Sequence, residues 1–416
     1  MNSPIASASR VMPRFGEFVA LIALMMGLTA LSIDNLLPAF PSIQASFAIV
    51  DPNELQLLVY VYMLGFGVMQ LVYGPISDVV GRRPTLMIGL AIYAAGCLLA
   101  ALAPSFEVLL IARVVQGMGV AAARVLAVAI VRDCYAGREM ARVMSLTFAV
   151  FIIVPVFAPA VGSATLLVGD WHFLFTSMLA LALVLAIWFW LRMPETLHPE
   201  YRLPLSARRI FDGLRLTVTT RVAIGYSTAV GLMFGSLIGY VGSAQQIFET
   251  EIYGLGPLFP VAFDIIAAVT GVASIVNSSL VRRLGMRRLS HSGLLGYLAV
   301  SILQLVVALA YDGRPPLLLF GSILAANQFL TALIFSNFNA MAMEPLGAVA
   351  GTASSFTGFY TTLLGALLGL IVGQAFDGTV LPLGMGYVSF SFLAVLVVLW
   401  TERWKLFRPY NKDPVG

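Results

Sequence analysis

The sequence predicts an all-α integral membrane protein whose twelve transmembrane helices form two pseudo-symmetric six-helix bundles. Its 416 residues are 60% hydrophobic and only 11% charged. A soluble protein of this length would carry roughly 25% charged residues. The apolar residues lie in twelve long runs and the basic residues gather in alternate loops, so composition and pattern together exclude a soluble fold.

Each apolar run has about 17–25 residues, the length that an α-helix needs to cross a bilayer. A polar stretch separates the sixth run from the seventh. We therefore expect an N-terminal bundle over residues 1–191, a cytoplasmic linker over 192–221, and a C-terminal bundle with its tail over 222–416. The predicted spans are 17–39, 55–74, 84–103, 107–130, 143–166, 172–191, 222–243, 257–280, 291–310, 316–339, 352–374 and 385–401.

The positive charges predict the orientation of the chain. Of its 24 Lys and Arg residues, 21 lie in the end segments, the linker or the loops of one side, and only Arg314 lies in a loop of the other side. Because basic residues stay on the cytoplasmic side, both termini are expected in the cytoplasm. The same distribution accounts for the formal net charge of +4, so no nucleic-acid partner is expected.

The two bundles contain a repeated loop. The segment after the second span reads GPISDVVGRR, and the segment after the eighth span reads SSLVRRLGMRR. Gly81 and Gly285 correspond in these loops, and Arg282 stands where the first copy has Asp78. A six-plus-six repeat is typical of secondary transporters, whose substrate site lies between the halves near the membrane midplane.

The fourth span carries two arginines, Arg113 and Arg124, which are 11 residues apart. At about 100° per residue they share one helix face. An arginine at mid-membrane costs at least roughly 2.5–3.5 kcal/mol unless it faces protein or water. The arginines therefore predict a polar interior, although either one can be structural and bonded to backbone carbonyls.

Two acids lie at a depth similar to that of Arg113, namely Asp34 in the first span and Asp264 in the eighth. We expect Asp34 to carry a proton and Arg113 to tune or bind that carboxylate in one state. Asp264 is expected to bind a cationic substrate or a second proton. The alternatives are that Asp34 caps or kinks a helix ahead of Pro38, and that Asp264 pairs across helices.

Further polar and aromatic residues are candidates for the substrate cavity, although each aromatic can equally anchor a span end. Together with Arg124 and Asp264, the candidates are Tyr60, Gln116, Tyr240, Asn327 and Gln328. The loop after the second span is expected to form a conformational gate. Its residues are Gly74, Asp78, Gly81, Arg82 and Arg83, of which the two arginines can also serve as topology anchors.

Several motifs carry a family resemblance. GPISDVVGRRP resembles the signature G-x-x-x-D-x-x-G-R-[RK] of the major facilitator superfamily, and RVVQGMG in the fourth span resembles its R-x-x-Q-G-x-G motif. IDNLLPAFP in the first span is similar to the D-x-x-x-P-x-x-P pattern of Bcr/CflA-type drug:proton antiporters with twelve spans. In the fifth span, VPVFAPAVGS contains Pro155, Pro159 and Gly162, but keeps only the last two of these within the antiporter motif G-x-x-x-G-P-x-x-G-G.

The resemblance implies proton-coupled efflux of antibiotics such as phenicols or bicyclomycin, by alternating access, in the bacterial inner membrane. It implies a monomer that works with a small-molecule substrate, protons and lipid, and without a bound cofactor. Efflux of a sugar, amino acid or siderophore is the alternative within transport, and a non-transporting receptor is the alternative outside it. The sequence contains no P-loop, HExxH motif or His/Cys cluster, so neither an enzyme nor a metal site is expected.

Overall fold

The computed structural model describes residues 12–198, 200 and 206–407, and these residues form fourteen α-helices joined by short 3₁₀ and π turns, with no strand among them. The helices are α1 Phe15–Asp34, α2 Phe40–Phe47, α3 Leu57–Val80, α4 Arg82–Ala101, α5 Phe106–Cys134, α6 Gly137–Leu166, α7 Trp171–Arg192, α8 Ala207–Thr219, α9 Arg221–Ala244, α10 Phe259–Leu284, α11 Met286–Ala310, α12 Leu317–Met343, α13 Ala350–Gln374 and α14 Leu381–Thr401.

Eleven helical stretches of the described chain are long and apolar enough to cross a membrane. The fifth predicted span corresponds to α6, which has 30 residues; its shorter apolar portion, Val156–Leu166, is described in full. The predicted all-helical, multi-pass class is therefore confirmed. The predicted linker lies between α7 and α9 and contains the amphipathic helix α8.

The first span is broken, which corrects the continuous helix predicted over 17–39. α1 ends at Asp34, a 3₁₀ turn covers Leu37–Ala39, and α2 begins at Phe40. Pro38 has no N–H group and so cannot bond the carbonyl of Asp34 four residues earlier. The helix therefore ends at the acid, in agreement with the kink that was the alternative reading of Asp34.

Glycines bring the helices of the first half close together. A Cβ atom at Gly117 of α5 would meet the carbonyl oxygen of Tyr62 in α3, and one at Gly119 would meet the backbone nitrogen of Tyr93 in α4. Only a residue without a side chain allows such backbone contact. The glycines of the RVVQGMG motif thus pack α5 between α3 and α4, and this packing fixes the position of Arg113 on the same helix.

The two halves, α1–α7 and α9–α14, meet where α3 packs on α13 and where α6 packs on α10. One end of the bundle contains Arg82, Arg192, Arg221 and Arg287, and we call it the basic face. The opposite end contains the turns around residues 51–56, 245–258, 312–316 and 375–380, and we call it the far face.

Candidate functional site

Asp34 is buried at the broken end of α1, with 7% of its surface exposed. The next residue, Asn35, turns its backbone carbonyl toward Gly162 of α6, where an added Cβ atom would collide with that oxygen. Gly162 and the buried Pro159 are thus placed on the helix that supports the break. Pro155 lies within α6, but its side chain is outside the described part of the structure.

Asp34 faces the second half of the molecule. Its carboxylate interacts electrostatically with that of Asp264 in α10, and Tyr240 of α9 interacts with both acids. One carboxylate from the first half is therefore within electrostatic range of a carboxylate and a phenol from the second half. The two predicted acids, which are 230 positions apart in the sequence, converge at the interface between the halves.

Several polar atoms around these acids have no hydrogen-bond partner among the described residues. They are Asp264 Oδ1, the hydroxyl of Tyr240, and the hydroxyl of Tyr387, whose side chain interacts electrostatically with Tyr240. The Tyr240 ring stacks on Phe263, with 5.7 Å between ring centroids and 14° between planes. Because more than nine in ten buried polar groups normally have a partner, this cluster is suited to receive a ligand.

Arg113 is fully buried, but it does not pair with Asp34 in the described structure. Its Nε donates to the carbonyl of Leu58 at 3.0 Å, and its Nη1 donates to Gln116 Oε1 at 2.8 Å. Its guanidinium lies over the ring of Tyr62, 4.3 Å from the centroid. Tyr62 interacts electrostatically with both Arg113 and Asp34.

Two predicted cavity residues are bonded within single halves instead. Gln116 donates to Cys97 Sγ at 3.0 Å as well as accepting from Arg113, and Asn327 donates to Gln304 Oε1 at 2.6 Å. Gln328 is buried, and its Oε1 has no partner among the described residues. Arg124 is half-buried on α5. The roles proposed for Arg124 and Gln328 stay predictions.

Tyr60 lies at the far face, in a seal between the halves. Added Cβ atoms at Gly242 and Gly373 would each collide with its hydroxyl, so the ring fits between two helices of the second half. The Tyr60 hydroxyl donates to Gln56 Oε1 at 3.3 Å, which connects the ring to four amide side chains. We call Asn53, Gln56, Gln246 and Gln374 the amide clasp.

The amide clasp joins the two halves directly. Gln56 donates to Gln246 Oε1, and Gln246 donates to Asn53 Oδ1 at 2.7 Å. Gln374 Nε2 donates to the carbonyl of Asn53 at 2.8 Å, and Asn53 Nδ2 donates to the carbonyl of Phe376 at 2.9 Å. The far face is therefore closed. Sequence reasoning missed this seal because its residues come from three separate segments and share no motif.

The predicted gate lies at the basic face. Arg82 donates to Asp78 at 2.5 Å and to Asp133 at 2.8 Å. Gly74 of α3 packs against Ser355 of α13 in the other half. Arg83 lies over the ring of Trp190, at 3.8 Å.

Glu195 completes this cluster and was missed from the sequence. Its carboxylate accepts from the backbone N–H groups of Arg82 and Arg83, at 2.8 and 3.1 Å. It lies beside Gly81, whose φ of 112° is readily adopted only by glycine. The only sequence signal was an acid placed four residues after the end of the predicted sixth span.

Comparison with known proteins identifies the family. The chain matches the Major Facilitator Superfamily profile over residues 22–370. It is 30% identical to an uncharacterized MFS-type transporter of Bacillus subtilis, across 87% of this chain and 90% of that protein. It is 28% identical to a bicyclomycin resistance protein homolog of Haemophilus influenzae, across 88% and 91% of the two chains.

The fold is also similar to a solved structure of the xylose transporter from E. coli, with a TM-score of 0.68 at 15% identity, covering 92% of this chain and 97% of that one. The match covers both halves and the loop with the gate residues, as the motifs had indicated. The protein is a multi-pass membrane transporter that belongs to the Major Facilitator Superfamily.

Proposed function

We propose that this transporter exports small apolar or weakly cationic drugs in exchange for protons. The observation that carries the proposal is the electrostatic interaction of Asp34 with Asp264, from opposite halves, near buried polar atoms without partners among the described residues. Two ionised carboxylates repel each other strongly in a medium of low dielectric. A proton or a substrate cation relieves that repulsion, so the two ligands compete for one site.

The closed far face supports a cycle of alternating access. We propose that the site opens toward the basic face, which the positive-inside rule places in the cytoplasm of a bacterial cell. Substrate capture from that side would release the proton from Asp34. Opening of the amide clasp would then expose the site to the outside, where Asp34 takes a new proton as the drug leaves.

The gate residues fit a separate task in this cycle. Asp78 and Arg82 lie at the basic face, beside the contact between Gly74 and Ser355 that joins the halves. We propose that they latch this face and make no contact with the substrate. The protein would work as a monomer in the inner membrane, driven by the proton gradient without a bound cofactor, and the name of the Haemophilus relative supports an antibiotic as the substrate.

Reconstituted vesicles with an internal pH indicator test the proposal. Chloramphenicol and ethidium are expected to drive proton movement through the wild-type protein, and Asp34→Asn is expected to reduce that movement to background. Asp212→Asn, which removes an exposed acid on α8, is the matched control and is expected to leave it unchanged.

Four outcomes would overturn parts of the proposal. Proton movement that survives Asp34→Asn removes the role of that acid, and drug transport without any proton movement removes antiport. A response only to sugars, amino acids or siderophores would identify a metabolite exporter. Unchanged drug accumulation in expressing cells, over a broad panel, would favour a receptor.

A further inference from the structure

A cavity of about 560 Å³ opens at the basic face of the second half, away from the two acids. Its walls are the ends of α9, α11 and α14 and the turn that follows α12. The charged residues that line it are Arg221, Arg287, Glu344, Glu402, Arg403 and Lys405. Four cations and two carboxylates give the lining an excess of positive charge.

Both carboxylates of the cavity are already engaged by one arginine. Glu402 Oε1 accepts from Arg287 Nε at 3.0 Å, and it also accepts from the hydroxyl of Tyr226 at 2.5 Å. Glu344 lies 3.8 Å from Arg287 Nη2. Within the described chain, no carboxylate pairs with the other three cations, Arg221, Arg403 and Lys405.

Arg221 is held in place without being neutralised. Its guanidinium lies over the ring of Trp400, 4.7 Å from the centroid, and donates to the carbonyl of that residue. Its Nε is buried and has no hydrogen-bond partner among the described residues. A guanidinium that has no carboxylate partner among the described residues keeps its positive charge for an anion such as a phosphate group.

The corresponding loop of the first half, around Arg82, has no such excess of positive charge among the described residues. There Arg82 meets Asp78 and Asp133, and Glu195 fills the space beside Gly81. In the second half, Arg282 replaces the first of these acids. An added Cβ atom at Gly285 would find no described atom within 4 Å, so no carboxylate of the described residues occupies the place that Glu195 has in the first half.

The position of the cavity indicates the source of the phosphate. All its walls are ends of membrane-spanning helices, which places it at the level of the lipid headgroups. Trp400, Trp404 and Phe407 are 46%, 70% and 38% exposed at the same end, as expected for aromatic residues at a membrane interface. Basic pockets between helices on the cytoplasmic side bind anionic headgroups.

We propose that this cavity binds the phosphate headgroup of an anionic phospholipid, through Arg221, Arg403 and Lys405. The lipid supplies the negative charge that the second half lacks. The acyl chains extend along the outside of α14, where Phe392, Leu396 and Trp400 are exposed. This site is independent of the drug site and does not rest on the proposed function.

Native mass spectrometry of the purified full-length protein tests the site with phosphatidylglycerol and phosphatidylcholine as probes. The double variant Arg403→Gln/Lys405→Gln removes two exposed cations of the cavity. We expect phosphatidylglycerol to bind the wild type at least about tenfold more tightly than this variant, and phosphatidylcholine to bind neither. Arg208→Gln/Arg215→Gln, on the exposed surface of α8, is the matched control and should bind phosphatidylglycerol like the wild type.

Equal binding of phosphatidylglycerol to the wild type and the cavity variant would overturn the proposal. An equal loss in the α8 control would also overturn it, because the attraction would then be a general property of the basic face. Inorganic phosphate is the third probe. If it displaces the lipid at millimolar concentration, or binds where the lipid does not, the cavity takes a soluble phosphate and the lipid assignment is wrong.

Discussion

The two halves of the transporter share a backbone plan, but they distribute charge differently. Gly81 and Gly285 both have positive φ, at 112° and 79°, and each directly precedes a helix. The loop that follows Gly81 is neutralised by three acids from its own half, whereas the equivalent loop after Gly285 has two acids and an additional arginine. The two copies of the loop therefore share a backbone conformation at the glycine but differ in their charged residues.

The two halves also contribute different groups inside the membrane. In the first half, Arg113 and Gln116 bond each other and neighbouring groups, although Arg113 Nη2 and Asn35 Oδ1 have no hydrogen-bond partner among the described residues. In the second half, Asp264, Tyr240 and Tyr387 retain polar atoms without partners in the described structure. We infer that Asp34 is the switchable acid of the first half, and that Asp264 and Tyr240 of the second half contact the substrate.

We expect the largest effect on drug transport from a substitution at Gly373, because Tyr60 fits against this glycine of the second half. Gly373→Ala places a methyl group against the Tyr60 hydroxyl and Gln56 Oε1, so the far face can no longer close. We expect drug transport to fall at least about tenfold, which corresponds to about 1.4 kcal/mol. Spin labels at Asp51→Cys and Asp377→Cys should report a longer distance across the far face.

Gly321→Ala is the control for this experiment, because an added Cβ atom there has no neighbour within 4 Å. It should transport like the wild type and keep the short distance between labels. A Gly373→Ala protein with normal transport and an unchanged distance would mean that closure of the far face does not depend on this contact.

The substitution Asp264→Asn tests whether the second half binds the substrate. Loss of this charge is expected to reduce export of the cation ethidium about tenfold, because a partly desolvated ion pair contributes on the order of 1.5 kcal/mol. Export of neutral chloramphenicol should change less than about twofold. Transport assays with both drugs provide the measurement, and an equal loss for both would assign Asp264 to proton coupling.

The smallest expected effect is on the free energy of unfolding. It compares two acids, one beside the arginines of each loop. Glu195→Gln weakens two charge-assisted hydrogen bonds to backbone N–H groups and should lower the free energy of unfolding by about 1 kcal/mol. Glu344→Gln removes a partly exposed acid 3.8 Å from Arg287 and should cost less than about 0.5 kcal/mol. Thermal unfolding in one detergent compares them, and equal losses would contradict the contrast between the halves.

The sequence was sufficient to predict the features that depend on composition or local pattern. Hydropathy predicted the helical membrane fold, and the position of each acid along its span predicted a similar depth for Asp34 and Asp264, whose carboxylates interact electrostatically in the structure. The Arg113–Asp34 contact was not found, because Arg113 has nearer acceptors, a carbonyl of α3 and a side chain one turn along its own helix.

Features that join distant segments could not be predicted in this way. The amide clasp combines the turn before α3, the turn after α9 and the end of α13, and amide side chains at helix ends are too common to indicate a contact. Glu195 belonged to a segment that looked like a linker. Its role depends on how the end of α7 lies against the start of α4, which no local pattern encodes.

The break in the first span has a consequence for the charge of compounds that can bind. Because Pro38 has no N–H group, the backbone carbonyl of Asp34 lacks its helical partner, and its partial negative charge adds to the carboxylate at the same point. A compound with a carboxylate or phosphate group would meet this field and that of Asp264 together. We therefore expect the transporter to exclude anionic compounds, however large their apolar surface area. The sign of a compound's charge should affect its binding more than its hydrophobicity does.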